Sequence, residues 1–286
     1  MTAPDKPRGR GREVEPTELV LAARELGVEQ IQPADPHADE VLAKLRELAP
    51  DVLVVASYGV ILKASLIDFA PHGSLNVHAS LLPRWRGASP IQAAIAAGDE
   101  RTGVSIQRIV RALDEGDVLL SKERAIGAEE TSGELLAALA ELGGAAIVEA
   151  LDVLENGAAR FTPQDASRAT YARKLKKERG ALDWTRPASE LVRHVRAMNP
   201  WPGARALDPK GRELTVLRAR EIAARGEPGA VLEASERFVV ACGENALELV
   251  QLTPAGKRPM SGADYLRGAR VGAGERLTTP PPATHG

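Results

Sequence analysis

A strand–helix–strand unit is predicted by DVLVVASYGVILKASLIDFAPHGSLNVH, residues 51–78 of this 286-residue chain. The unit begins with the apolar run Asp51–Ser57, which is typical of a strand buried on both faces of a parallel sheet. A helical pattern follows at Lys63–Phe69, and Ser74–His78 predicts the second strand. This alternation indicates an α/β domain with a mostly parallel sheet.

Helices and strands continue on both sides of this unit. Helices are predicted before it at Thr17–Leu26 and His37–Leu48, and after it at Ser89–Ala97 and, interrupted by Gly143-Gly144, at Thr131–Glu155. Two further strands are predicted at Thr102–Val110 and Asp117–Arg124. Residues 1–165 therefore form the predicted α/β domain.

The character of the chain changes after Asn156-Gly157. Residues 166–202 are polar and basic, with a short helix at Ala188–Met198, and are predicted to be a linker. Residues 203–277 contain five short strand-like runs separated by turn signals, which predicts a small β-barrel of the OB type. Residues 278–286 contain three consecutive prolines and predict a disordered tail.

The composition is that of a globular protein and argues against a membrane protein. Apolar residues make up 44% and charged residues 27%, as in globular proteins, and no apolar run reaches the roughly 18 residues of a membrane helix. Cys242, the one cysteine, permits neither an internal disulfide nor a cysteine-based zinc site. The first residues lack the apolar core of a signal peptide. We therefore expect a cytoplasmic protein without a membrane partner or a metal.

The net charge of −2 is distributed unevenly. Residues 13–167 carry 12 basic and 25 acidic side chains, whereas residues 168–212 carry 12 basic and only 4 acidic ones. This basic belt fits a polyanion such as a nucleic acid. The alternative is a solvated face rich in lysine, of which Lys174, Lys176 and Lys177 are examples.

The residues best suited to catalysis lie at the end of the second predicted strand and in a later turn. Asn76 and His78 are two positions apart, so their side chains leave the same face near its carboxyl end, where open α/β sheets bind ligands. Asp114 and Asp117 lie in a tight turn between two later strands. An amide, an imidazole and a carboxylate together offer a hydrogen-bond donor, a base and a charge partner. The alternatives are a core histidine, a turn-forming asparagine and aspartates that only shape their turn.

Four blocks of the chain resemble methionyl-tRNA formyltransferases. They are NVHASLLPRWRGASPIQ (76–92), LDEGDVL (113–119), YARKLKKERGALDW (171–184) and RAMNPWPGA (196–204). The first block is shared by the wider group of folate-dependent formyltransferases and implies a formyl donor. The last two blocks and the C-terminal domain resemble the tRNA enzymes in particular. The resemblance implies a Rossmann-like parallel-sheet domain of the formyltransferase type. Family members begin with two strands and a helix that this sequence lacks, so we expect that domain without its first strands.

The resemblance implies a role for each matching position. Asn76, His78 and Asp114 match the catalytic residues of the family. Its folate-contacting loop is matched by Ser80, Leu81, Leu82 and Pro83. Thr2–Pro16 resembles an insertion that meets the tRNA acceptor stem, and its basic residues are Lys6, Arg8, Arg10 and Arg12. The alternative for these four is a solvated terminus.

The expected reaction transfers a formyl group from 10-formyltetrahydrofolate to the α-amino group of methionyl-initiator tRNA in translation initiation. The chain is expected to act as a monomer, with folate and tRNA as its partners. Two other functions remain open. One is formyl transfer to another acceptor, or to water, and the other is an inactive RNA-binding relic.

Overall fold

The computed structural model describes residues 1–8 and 13–281. It contains seven helices within those residues: α1 (Glu18–Glu25), α2 (Asp39–Leu48), α3 (Ala64–Ile67), α4 (Pro90–Ala97), α5 (Ser132–Glu155), α6 (Ala188–Met198) and α7 (Gly262–Ala269). Two 3-10 turns lie at Ala166–Arg168 and Lys177–Gly180. A short antiparallel hairpin, β1 (Lys6–Arg8) and β2 (Glu13–Glu15), precedes α1.

The N-terminal domain is the predicted α/β fold. Its sheet has the order β3-β4-β6-β7, built from β3 (Leu53–Ala56), β4 (Ser74–His78), β6 (Arg101–Arg108) and β7 (Val118–Ala125). Strands β3 and β4 are parallel, because α3 carries the chain back between them. The other two pairings are antiparallel, and a short turn joins β6 directly to β7.

The long helix α5 covers one face of this sheet. Predicted as interrupted, the helix instead runs without a break from Ser132 to Glu155. Gly143 is buried where α5 meets β4, and a Cβ added to it would lie 2.9 Å from Val77 Cγ1. The glycine therefore serves close packing rather than a break, and sequence periodicity alone does not separate the two uses.

Strand β3 differs from its prediction. Burial alternates along it, and Val54 is 44% exposed, so the strand is not buried on both faces. Within the described residues β3 pairs only with β4, which makes it an edge strand. An apolar run is compatible with either position, and the position in the sheet decides the exposure.

The C-terminal domain is an antiparallel sheet with the order β11-β12-β13-β10-β9. Its strands are β9 (Ala204–Leu207), β10 (Glu213–Ile222), β11 (Val231–Ala234), β12 (Phe238–Ala241) and β13 (Ala246–Pro254), with β14 (Met260–Ser261) paired to β13. The strands of the predicted OB-like barrel are present. However, β9 and β11 do not pair within the described residues.

The segment Glu275–Thr278 lies between β9 and β11 instead. Thr278 exchanges backbone hydrogen bonds with Leu207 on β9, and Leu277 donates to the Gly229 carbonyl just before β11. Thr279 Oγ1 also donates to the Leu182 carbonyl, at 2.7 Å. The start of the predicted disordered tail is therefore docked on the domain, because its backbone meets two otherwise unpaired edges.

One hydrophobic core extends through both domains. Helix α6 packs against α4 on one side and against β10 on the other, and buried Leu191 and Val195 belong to the shared core.

Burial raises the pKa of the Cys242 thiol to about 12. No helix of the described residues combines the length and apolar character needed to cross a membrane.

Candidate active site

The candidate site lies on the face of the α/β sheet opposite α5. Asn76 and His78 leave this face of β4, as the two-residue spacing predicts. Their partners on β6 are Gln107 and Ser105, so these four residues share one face. His78 is buried and Asn76 is half-buried. The structure thus places the predicted amide and imidazole side by side.

Both ring nitrogens of His78 have defined surroundings. Nε2 lies 3.0 Å from the backbone carbonyl of Trp85, and this nitrogen carries a proton because a carbonyl only accepts hydrogen bonds. Nδ1 lies 3.7 Å from Oδ1 of Asp114, which is close for a charge pair and long for a hydrogen bond. Nδ1 therefore has a charged neighbour but no hydrogen-bond partner among the described residues.

Asp114 joins this pair from the turn between β6 and β7. Its backbone has a φ of 53°, in the left-handed region that non-glycine residues rarely adopt. Oδ2 accepts a hydrogen bond from the backbone N–H of Gly87, and Oδ1 accepts one from Nε2 of Gln107, both at 2.8 Å. The carboxylate is thus fixed beside His78 by two donors.

The predicted folate loop follows directly after β4. Ser80 is fully buried, and its hydroxyl donates to the Arg84 carbonyl at 2.6 Å, which closes the loop on itself. The backbone N–H of Leu82 donates to Oγ of Ser105. Leu81, Leu82 and Pro83 are partly exposed. The loop is thus anchored to the same sheet face as His78, with Ser80 as an internal support.

The end of this loop is held by Asp99. Arg84 donates two hydrogen bonds to the Asp99 carboxylate and Trp85 Nε1 donates a third, at 2.7 Å. Burial of Asp99 alone would raise the pKa of its carboxyl, but the hydrogen bonds from Arg84 and Trp85 lower it overall. This clamp positions the Trp85 carbonyl that holds the His78 ring.

Three residues of the site were not predicted. Gln107, Gln164 and Arg86 form a hydrogen-bonded chain that ends at Asp114. Gln107 had a usable signal, since Gly103, Ser105 and Gln107 alternate with Val104 and Ile106 along β6. Gln164 had none, because its hydrogen-bond partners lie 48 to 78 positions away along the chain.

A basic segment, Arg173–Arg179, begins beside the site. It follows β8 (Tyr171–Ala172), which pairs in parallel with β5 (Arg86–Gly87). Lys174, Lys176 and Lys177 are exposed, as are Arg173 and Arg179, and none of these five forms an ion pair with another described residue. The predicted cations of the linker therefore face solvent, in a segment that follows directly after the residue paired with Gly87.

Only two of the four predicted N-terminal cations lie within the described residues. Lys6 and Arg8 lie on β1. Arg10 and Arg12 lie outside the described residues. The predicted contact of these four residues with tRNA therefore stays a prediction.

Elsewhere the described chain has a cavity but no cluster of metal-ligating side chains. Residues 1–8 and 13–281 contain no group of three or more histidine, cysteine or acidic side chains placed to hold a metal ion. A cavity of about 540 Å³ lies between α2 and α3, lined by Leu42, Arg46 and Phe69 among others, and none of Asn76, His78 and Asp114 borders it.

Comparison with known proteins identifies the family. Residues 1–151 match the family described as formyl transferase, and residues 174–270 match the formyl transferase C-terminal domain. The chain is 45% identical to methionyl-tRNA formyltransferase of Aromatoleum aromaticum, covering 97% of this chain and 88% of that one. It is 43% identical to the enzyme of the same name from Neisseria meningitidis serogroup C, covering 97% and 91%.

A solved structure supports the fold. HypX from Aquifex aeolicus, solved in complex with tetrahydrofolic acid, aligns with a TM-score of 0.57 at 21% identity, over 79% of this chain and 40% of the HypX chain. At this identity the likeness concerns the fold alone. The two matched domains and the identity to full-length relatives show that this chain belongs to the methionyl-tRNA formyltransferase family.

Proposed function

We propose that this protein transfers a formyl group from 10-formyltetrahydrofolate to the α-amino group of methionine on initiator tRNA, in support of translation initiation. The observation that carries the proposal is the meeting of Asn76, His78 and Asp114 on one sheet face, with Nδ1 of His78 3.7 Å from the Asp114 carboxylate. Family membership supplies the donor and the acceptor.

The reaction needs a neutral amine and a site for negative charge. A free α-amino group has a pKa of about 7.7–8.0, so a usable fraction is unprotonated near neutral pH. Its nitrogen attacks the formyl carbon and gives a tetrahedral intermediate with a negative oxygen. The half-buried Asn76 amide donates a hydrogen bond to that oxygen. The carbon–nitrogen bond to the donor then breaks, N10 takes up a proton, and the product amide has lost one.

His78 and Asp114 handle the proton and part of the charge. Because Nε2 donates to the Trp85 carbonyl, Nδ1 is the atom that accepts a proton from the amine or donates one to the intermediate. A proton on Nδ1 faces the Asp114 carboxylate, whose negative charge stabilises it. Asp114 itself stays oriented through the Gly87 N–H and Gln107.

Substrate binding is divided along the chain. Ser80–Pro83 supports the folate, with Leu81, Leu82 and Pro83 as the partly exposed contacts. Residues 1–165 form the catalytic domain, while the linker 166–202 and the C-terminal domain 203–277 bind tRNA, chiefly at its phosphates. Lys174, Lys176 and Lys177, with Lys6, Arg8, Arg10 and Arg12, supply positive charge. We propose that the protein works in the cytoplasm as a monomer, since the proposed site needs no residue from a second chain.

A panel of acceptors tests the proposal. The protein is incubated with 10-formyltetrahydrofolate and, in turn, methionyl-initiator tRNA, the same tRNA charged with another amino acid, an amino sugar nucleotide, and buffer alone. We expect rapid formylation of methionyl-initiator tRNA and much slower transfer to the others. Faster transfer to a sugar amine or to water, or no transfer to any acceptor, would refute the assignment.

A further inference from the structure

The side chain of Gln164 is turned toward the active site although its neighbours face solvent. Thr162, Pro163 and Asp165 are exposed, whereas Gln164 is half-buried against the turn that carries Asp114. Its Nε2 donates to the backbone carbonyls of Asp114 at 2.9 Å and Gly116 at 2.7 Å. One side chain from the segment after α5 therefore fastens both ends of the turn.

The orientation of this amide is chemically fixed. Oε1 of Gln164 accepts two hydrogen bonds from Arg86, at 3.1 and 2.9 Å, and an arginine side chain can only donate. The carbonyls of Asp114 and Gly116 can only accept, so Nε2 must face them. Arg86 is 3% exposed and is held in turn by Glu115 at 3.2 Å. Among side chains of this length, only an amide satisfies both sides of the arrangement.

The turn itself needs such a support. Asp114 has the left-handed φ of 53°, and strained residues persist only where surrounding contacts hold them. Gly116 approaches β6 so closely that an added Cβ would lie 1.7 Å from the Arg108 carbonyl oxygen. Without the two hydrogen bonds from Gln164, the turn is free to relax and to move the Asp114 carboxylate away from His78.

A second contact directs the carboxylate. Nε2 of Gln164 lies 3.4 Å from Oε1 of Gln107, whose own Nε2 donates to Oδ1 of Asp114 at 2.8 Å. A hydrogen-bonded chain thus runs from Arg86 through Gln164 and Gln107 to Asp114. The donor and acceptor of each hydrogen bond in it follow from those of the preceding bond. Such a chain fixes the position of Oδ1, the oxygen of Asp114 that faces His78.

We propose that Gln164 is a positioning residue for formyl transfer, acting through the backbone and carboxylate of Asp114. The inference rests on the proposed function and adds a residue to that site. Gln164 acts without contact to the reacting atoms, so its loss lowers kcat and leaves KM for both substrates unchanged.

Kinetics of matched variants test this role. In Gln164→Glu the side chain keeps its size and its acceptor for Arg86 but cannot donate when ionised, and in Gln164→Ala both functions are lost. We expect both variants to lose about 10- to 100-fold in kcat, as two lost hydrogen bonds imply. In an Asp114→Asn background, Gln164→Ala should change kcat less than about twofold. An equal loss in both backgrounds, a loss confined to KM, or unchanged kcat in Gln164→Glu would overturn the proposal.

Hydrogen exchange tests the positioning role without measuring activity. It therefore distinguishes a failure of this proposal from a failure of the proposed function. The Gly87 amide is hydrogen-bonded to Asp114, so its hydrogen exchange reports whether the carboxylate stays in place. We expect exchange at Gly87 to accelerate about tenfold in Gln164→Glu and exchange in the C-terminal sheet to stay unchanged. An unchanged Gly87 rate refutes the positioning role. An inactive wild-type protein with the accelerated rate in the variant would instead refute the proposed function alone.

Discussion

The end of β4 and the basic segment Arg173–Arg179 are neighbours in the fold but are built in opposite ways. Around His78 and Asp114 polar atoms are buried and paired: His78 Nε2 donates to the Trp85 carbonyl, and the Asp114 carboxylate accepts two hydrogen bonds. In the basic segment five cations are exposed and without an ion pair among the described residues. The two regions meet where Gly87 pairs with Ala172.

The difference matches what each region is proposed to do. Stabilising a transition state requires donors that are already oriented, because reorganisation during the reaction costs rate. Attraction to phosphates requires charge and tolerates mobile side chains, since it carries little geometric information. Substitutions in the first region should therefore change kcat, and substitutions in the second should change tRNA affinity.

The largest effect is expected at the strand end. Asn76→Ala and His78→Ala should each lower kcat by about 10²–10³, because each removes a group that faces the developing charge. Asn76→Asp keeps the shape of the side chain and loses the N–H donor, so it should be no more active than the alanine variant. Single-turnover formylation and a tRNA binding assay measure the two quantities. A parallel fall in tRNA affinity would break the comparison.

The second effect is expected in the basic segment. The triple variant Lys174→Ala/Lys176→Ala/Lys177→Ala should weaken tRNA binding and leave kcat at saturation unchanged. The slope of log affinity against log salt should decrease by roughly 2 to 3, since each phosphate contact contributes about 0.7–0.9. Binding titrations between low and moderate salt measure this slope.

A matched control removes the same charge elsewhere. Arg24, Arg46 and Lys63 are exposed basic residues on or beside the first three helices. Their triple alanine variant should bind tRNA like the wild type. Equal slopes in the two triple variants would mean that net charge, and not the basic segment, attracts the tRNA.

The smallest effect is expected where Gly87 pairs with Ala172, between the two regions. It should be seen in both assays. Gly87 has a φ of 108°, and a Cβ added there would lie 2.6 Å from the Ala172 carbonyl oxygen. Gly87→Ala should therefore separate β5 from β8 and shift the Gly87 N–H that holds Asp114. We expect kcat and tRNA affinity each to fall several-fold. A fall in only one of them would show that the regions are mechanically independent.

Local signals predicted much of the fold. The helix predicted at Ser89–Ala97 is observed as α4, with Ser89 at its N-cap, Pro90 at its first position and Gly98 in the left-handed conformation at its end. The Ser89 side chain, however, is not used as that of an ordinary N-cap serine. Its hydroxyl accepts from the Leu175 N–H instead of capping the helix, because the linker passes close by in space. The partner of a polar side chain thus depends on contacts that local sequence does not contain.

The site shows the same division. By itself the sequence determined that Asn76 and His78 share a face, since that follows from the two-residue period of a strand. It also determined where the main helices lie and the change from an acidic domain to a basic linker. Only the tertiary structure decided that β3 lies at an edge and that Gly143 packs inside an unbroken helix. The same holds for Gln164 and Arg86, whose hydrogen bonds join residues 50 and 78 positions apart. Periodicity fixes the direction of a side chain, whereas its partner is fixed by distances that exist only after the chain has folded.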